Sequence, residues 1–260
     1  MAKSTIRNIH SILSGAFDAA QRWEWTDRNP ADSAKPPTVT RKKRPATLPT
    51  DVVKVIEQAR STGQRDIALY VWLAAITGVR RGELCAIQIT DFDLRNGVIH
   101  VAFNYVVKGG KKLRKDTKTH QDRWLAIDPV TCALIPLIQE TIDEATNTLT
   151  KVGVTLPASA YLFSNDPAHA QPWNPDWVTH RVTDLARATG VGLDIKGMRH
   201  YAASQLLAAG FDLGNTAARL GHSGGGATTL KHYADPVSEV DRRAAAYLAQ
   251  LTAGPASQGG

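Results

Sequence analysis

Sulfur is scarce in this chain, with two cysteines and two methionines among 260 residues. Cys85 and Cys132 are too few for a disulfide framework and lack metal-ligand spacing, so neither a secreted disulfide scaffold nor a zinc module is expected. Long apolar runs are missing too. No stretch reaches the roughly 18 residues that a membrane span requires. The opening Met1-Ala2-Lys3-Ser4-Thr5 lacks the apolar core and cleavage site of a secretory signal. A cytoplasmic setting is the expectation. No internal repeat is visible.

What the chain does have is positive charge. Lysine and arginine number 31 against 24 acidic residues, a formal charge of +7, and the isoelectric point is near 9.5. That imbalance favours an anionic partner. With 43% apolar and 21% charged residues the composition is that of a globular protein able to bury a core.

Residues 4–26 read as an amphipathic helix, with Ile6, Ile9, Leu13, Phe17 and Ala20 on one stripe, and Asn29-Pro30 ends it. From Ala31 to Thr47 the chain holds Pro36, Pro37 and Pro45 beside Arg41-Lys42-Lys43-Arg44, which predicts an extended linker. A lone helix cannot bury its own stripe. It must dock on the main body or belong to a domain whose remainder is missing, and the second is the expectation for residues 1–30.

The main body opens at Leu48-Pro49-Thr50-Asp51, with Thr50 the expected N-cap of a helix through about residue 60. A second helix is expected over 65–77, ended by Gly78, and a helical turn over 81–87. Then the period changes. Asn96-Gly97 opens a β-branched run over 98–103, and Tyr105-Val106-Val107, the turn Gly109-Gly110 and residues 123–127 extend it into a small three-stranded antiparallel sheet. Helical pattern returns at about 129–151, 175–189, 196–209, 212–220, 227–233 and 237–251. The expectation is a mainly α, mixed α+β domain over residues 48–252, with 253–260 a disordered tail. The helix at 237–251 suits docking on a neighbouring protomer and docking on its own domain equally well.

Four short constellations stand out. Thr77-Gly78-Val79-Arg80-Arg81-Gly82-Glu83-Leu84 puts Arg80 at a tight junction, with Glu83 one turn away to hold its guanidinium. Lys118 sits in a polar stretch of the hairpin. Lys196-Gly197-Met198-Arg199-His200 starts a helix with two cations one turn apart, a setting that suits a phosphate. Leu220-Gly221-His222-Ser223-Gly224-Gly225-Gly226 precedes a helix carrying Tyr233. Each alone has a plainer reading: a surface ion pair, a solvated turn, a basic helix start, a core tyrosine.

Together and in this order they resemble the tyrosine recombinase (phage integrase) family from about Leu48 to Ala249, most specifically in TGVRRGEL, KGMRHYAASQLLAAG and LGHSGGGATTLKHY. The resemblance implies a helical catalytic domain that breaks and rejoins DNA through a 3′-phosphotyrosine. Arg80 and Arg199 would bind the scissile phosphate, Lys118 would protonate the leaving oxygen, and Tyr233 would be the nucleophile. His222 matches a histidine position of the family, and Lys196 stands where most members have histidine. That substitution leaves the general base for Tyr233 open. Glu83 and His200 would be supporting residues. Arg41, Lys42, Lys43 and Arg44 would touch DNA from the linker. Implied partners are double-stranded DNA, further copies in a synaptic tetramer, and accessory DNA-bending or directionality proteins; no membrane, metal or cofactor is implied. Family members carry a complete four-helix core-binding domain, of which residues 1–30 match only the last helix. A truncated or shortened form is the expectation.

These residue types suit the reaction. Attack on a phosphodiester loads charge onto oxygens that two forked guanidiniums can stabilise. A phenol with a pKa of about 10 needs such a field, and a proton acceptor, to react near neutrality. Other readings compete. Leu206 to Leu220, turning at Gly210, resembles a helix-turn-helix, as in a non-catalytic regulator or an inactive recombinase remnant. A type IB topoisomerase would share the chemistry without strand exchange. Gly221-His222-Ser223-Gly224-Gly225 fits the hydrolase pattern Gly-x-Ser-x-Gly, but that motif needs a strand before it, and His232 precedes Asp235. Tyr233→Phe should abolish denaturation-resistant protein–DNA adducts on a nicked duplex while leaving binding nearly intact; adducts persisting in that variant would remove Tyr233 as nucleophile.

Overall fold

The computed structural model describes residues 1–39, 46–108, 111–116, 122–128, 135–151, 153, 159–221 and 239–253. It divides into two compact units, Met1–Pro45 and Ala46–Gly260. Among the described residues no helix is long and apolar enough to cross a membrane.

In the first unit a single helix, α1 (Lys3–Arg22), buries none of its residues. Ile6, Ile9 and Leu13 of its apolar stripe are exposed, and so is Ile12 beside it. The segment after it is less extended than its prolines imply. A 3-10 turn, Pro30–Ser33, folds back on the helix because Asn29 donates to Asp18 Oδ1 at 2.8 Å and Ser14 Oγ at 3.2 Å, while His10 Nε2 meets the Ala31 carbonyl at 3.0 Å. The linker expected from residue 31 therefore begins only after this turn.

The second unit is built round α3 (Arg65–Thr77), in which every residue from Ile67 to Thr77 is buried. A helix apolar on all sides belongs at a core centre. Packed on it are α2 (Pro49–Ser61), α4 (Arg81–Cys85), α5 (Ile135–Lys151), α7 (Ile195–Ala208) and α9 (Glu239–Ala253). Helix α6 (Pro175–Ala188) packs on α2, and α8 (Leu213–Leu220) on α7. Helix α2 starts at Pro49 rather than after Thr50, since the fixed φ of proline suits a first helical position and the Asp51 carboxylate takes the Leu48 amide at 3.1 Å. Residues 129–134 and the 227–233 helix expected from sequence lie outside the described residues.

The antiparallel sheet is present, with different members. Its strands run β1 (Phe92–Asp93), β2 (Val98–Val101), β5 (Arg123–Ala126) in that spatial order. Strands β3 (Phe103–Lys108) and β4 (Lys111–Asp116) form a separate two-stranded ribbon. The β-branched run expected over 98–103 is interrupted at Ala102, which belongs to neither strand. Register sets Ile99 opposite Leu125 and Val101 opposite Arg123, so Arg123 shares the inward face of β5 with buried Leu125.

One buried cation ties these parts together. Arg219, 3% exposed, pairs with Asp241 of α9 and donates to the carbonyls of Ile76 at 2.9 Å and Ala126 at 3.2 Å. Asp241 in turn accepts from the Ala126 amide at 2.6 Å. Helix α9 thus docks on its own domain, with Ala244, Ala245, Leu248 and Ala249 buried. Arg219→Met would remove the guanidinium shared by Asp241 and the Ile76 and Ala126 carbonyls, and breaking a buried pair from one side costs about 3 kcal/mol or more. Urea unfolding should show that loss; a change below about 1 kcal/mol would be a surface-type effect and contradict the assignment.

Candidate active site

Two glycines shape the site. Gly78 caps α3 with φ of +62° and Gly221 caps α8 with φ of +67°, both left-handed. A side chain at Gly78 would collide with Leu220 and lie 3.0 Å from the Ala202 Cβ, so the ends of α3 and α8 meet the flank of α7 there. Arg199 sits on α7 three residues before Ala202, which brings its Nη1 within 3.2 Å of the Gly78 carbonyl.

Arg80 is the N-cap of α4. Tyr70 anchors that helix start from the core by donating its hydroxyl to the Arg81 carbonyl at 2.8 Å. Glu83 reaches back to the Arg80 amide at 2.9 Å and takes the Arg80 Nη1 at 2.6 Å. Arg80 Nη2 extends to the Gly221 carbonyl at 3.0 Å. Each arginine therefore grips the glycine cap of a helix C-terminus, where unpaired carbonyls carry partial negative charge.

A third guanidinium joins them. Arg123 Nη2 lies 2.8 Å from Glu83 Oε2, and its Nε donates to the Arg219 carbonyl at 3.2 Å. Glu83, with a fully buried side chain, is thus flanked by two cations. Burial pushes its carboxyl up, but Arg123 and then Arg80 outweigh burial and hold it below the ordinary value. Arg199 is lowered to about 10, first by burial and then by repulsion from Arg80; Glu83 opposes the shift and Arg123 adds to it. It remains a cation at neutral pH. Its Nη2 is buried and has no hydrogen-bond partner among the described residues.

Of the residues singled out from sequence, Arg80, Glu83 and Arg199 converge. Lys196 and His200 lie on α7 and are exposed, with no side-chain hydrogen bond among the described residues. Lys118, His222, Tyr233 and Arg41 to Arg44 lie outside the described residues. Arg123 was missed, although its place two residues before an inward-facing leucine was a usable signal. Helix α8 runs straight into Gly221, so the strand that a Gly-x-Ser-x-Gly elbow requires is not there. As a groove-reading helix α8 is also poor: Thr216, Ala217, Arg219 and Leu220 are buried.

Comparison with known proteins decides the family. The phage integrase family matches residues 47–239. The chain belongs to that family. The ICEBs1 integrase of Bacillus subtilis (strain 168) is 26% identical over 235 residues, which is 90% of this chain and 62% of that protein. The chain thus spans less than two thirds of that relative. The Tn1549 transposon integrase, solved with transposon right-end DNA, superposes with a TM-score of 0.70 at 20% identity, over 94% of this chain and 78% of the other. The integrase of mycobacterium phage Brujita gives 0.57 at 16%, over 96% and 73%. A lambda integrase dimer bound to a core site gives 0.53 at 19%, over 85% and 72%. These likenesses establish that this phage integrase family member shares their fold.

Because the folded carboxyl of Glu83 is held below the ordinary 4.5, its stabilisation is complete above that value and is lost as pH falls through the folded value. Urea midpoints taken from about pH 7 down to about pH 3 should fall less steeply in Glu83→Gln than in the parent protein. Equal slopes would mean that Glu83 is not held ionised by its arginines.

Proposed function

We propose that this protein is a site-specific DNA recombinase of the integrase or excisionase type, acting in the cytoplasm through a 3′-phosphotyrosine at Tyr233. The observation that carries the reading is the cation excess at the α3–α7–α8 junction. Three guanidiniums surround one carboxylate, and the Arg199 Nη2 is buried without a partner among the described residues. A buried cationic donor of this kind calls for an anionic acceptor. A DNA phosphate supplies one with oxygens spaced for forked donors.

In the proposed reaction the Tyr233 oxygen attacks phosphorus and loses its proton to a base. The bond to the 5′-oxygen breaks, and Lys118 gives that oxygen a proton. Arg80 and Arg199 stabilise the charge on the non-bridging oxygens, with His222 and Lys196 contributing further hydrogen bonds. The phosphotyrosine preserves the energy of the cut bond, so a 5′-hydroxyl from a second duplex reverses the step without ATP. Strand exchange between two duplexes needs four nucleophiles, hence a synaptic tetramer, and accessory DNA-bending or directionality proteins would choose the direction. Residues 1–30 act as the last helix of a core-binding domain, and Arg41, Lys42, Lys43 and Arg44 follow the DNA backbone.

The test uses nicked suicide duplexes enriched by binding from random sequence and scored for adducts that survive denaturation. The parent protein should form them, and Arg199→Ala should form them about 100- to 1000-fold more slowly at saturating DNA. Binding without any adduct in the parent protein would instead identify an inactive remnant or a regulator.

A further inference from the structure

We propose that Arg123 is a positioning residue for DNA cleavage, acting through Glu83 to set the guanidinium of Arg80. This deepens the preceding reading and rests on Arg80 being a phosphate ligand. The Glu83 carboxylate divides its two oxygens between its neighbours. Oε1 receives Arg80 Nη1 at 2.6 Å, whereas Oε2 receives the Arg80 amide at 2.9 Å and Arg123 Nη2 at 2.8 Å. Arg123 thereby fixes the rotation of the carboxylate and leaves Oε1 to aim Arg80. Its own orientation is fixed from the other side, where Nε is held by the Arg219 carbonyl at 3.2 Å.

The alternatives are a third phosphate ligand and a purely structural ion pair. Geometry opposes the first. Arg123, like Arg80, has two of its three nitrogens engaged within the protein, but its remaining Nη1 lies 2.8 Å from where a Cβ on Gly221 would be, hard against that backbone. Its side chain is 13% exposed against 29% for Arg80. Against the second stands the choice of partner, since Glu83 is the carboxylate that orients Arg80. Held among Arg80, Arg123 and Arg199, Glu83 stays ionised despite its burial.

The experiment is a double-mutant cycle in the full chain, reading single-turnover cleavage of the suicide duplex and, separately, DNA affinity at fixed salt. Arg123→Met and Glu83→Gln should each slow cleavage about 10- to 100-fold at saturating DNA, the scale of misplacing a catalytic group by about an ångström. Dissociation constants should stay within about threefold, and the double variant should be no slower than the slower single one. Unchanged cleavage in Arg123→Met, loss of affinity alone, or rate losses that multiply in the double variant would overturn the proposal. Should Arg123→Met fail to fold, Arg123→Lys replaces it in the cycle, since lysine keeps the charge but cannot bridge both acceptors. A rate loss that Glu83→Gln does not deepen is then expected, and unchanged or multiplying rates overturn the proposal. Arg80→Lys separates the two levels. Normal cleavage there sinks the phosphate-ligand reading itself, whereas normal cleavage in Arg123→Met beside a crippled Arg80→Lys sinks only this inference.

Discussion

The second unit depends on one buried ion pair, Arg219 with Asp241. A guanidinium 3% exposed needs its charge met, and here Asp241 at the start of α9 supplies the counter-charge. The end of α3 and strand β5 supply carbonyl acceptors for its terminal nitrogens, leaving only the buried Nε without a partner among the described residues. Those elements are far apart in sequence. Without the pair, each would present polar backbone atoms to an apolar interior. The same pair stands at both borders of residues 222–238, the stretch that holds His222 and Tyr233. Arg219 and Asp241, which flank that stretch, are joined by one interaction.

Above this tie sits an arrangement that would repel itself if built from side chains alone. Arg80, Arg123 and Arg199 crowd round Glu83, and one carboxylate cannot balance three cations. The ends of α3 and α8 make up part of the deficit, because left-handed glycine caps turn the carbonyls of Gly78 and Gly221 toward Arg199 and Arg80. The remaining positive potential is what an anion would meet on arrival. Electrostatic help fixed before the reaction begins needs no reorganisation during it.

Much of this was legible in the sequence, for identifiable reasons. Helix α3 announces itself by thirteen residues dense in apolar side chains, and its stop by Gly78. Arg80 and Glu83 could be joined from their spacing alone, since three residues bring side chains to one helix face. What sequence did not disclose was long-range. Arg123 looks like an ordinary charged residue until the register of β5 against β2 sets it opposite Val101, inside the sheet. Arg219 and Asp241 are 22 residues apart on different helices, and nothing local marks them as partners. The sheet was expected to include the 105–107 segment, but a break at Ala102 lets β3 pair with β4 alone, while two residues at 92–93 take the vacant edge. Pairing of that kind is decided by packing, not by the alternation of side chains.

Main-chain acceptors have one property that side chains lack: they survive substitution. The carbonyls of Gly78, Gly221 and Arg219 hold guanidiniums whatever residues lie around them, provided the backbone keeps its course. Replacing a nearby side chain therefore leaves these contacts in place, whereas a side chain at left-handed Gly78 or Gly221 would shift the carbonyl itself.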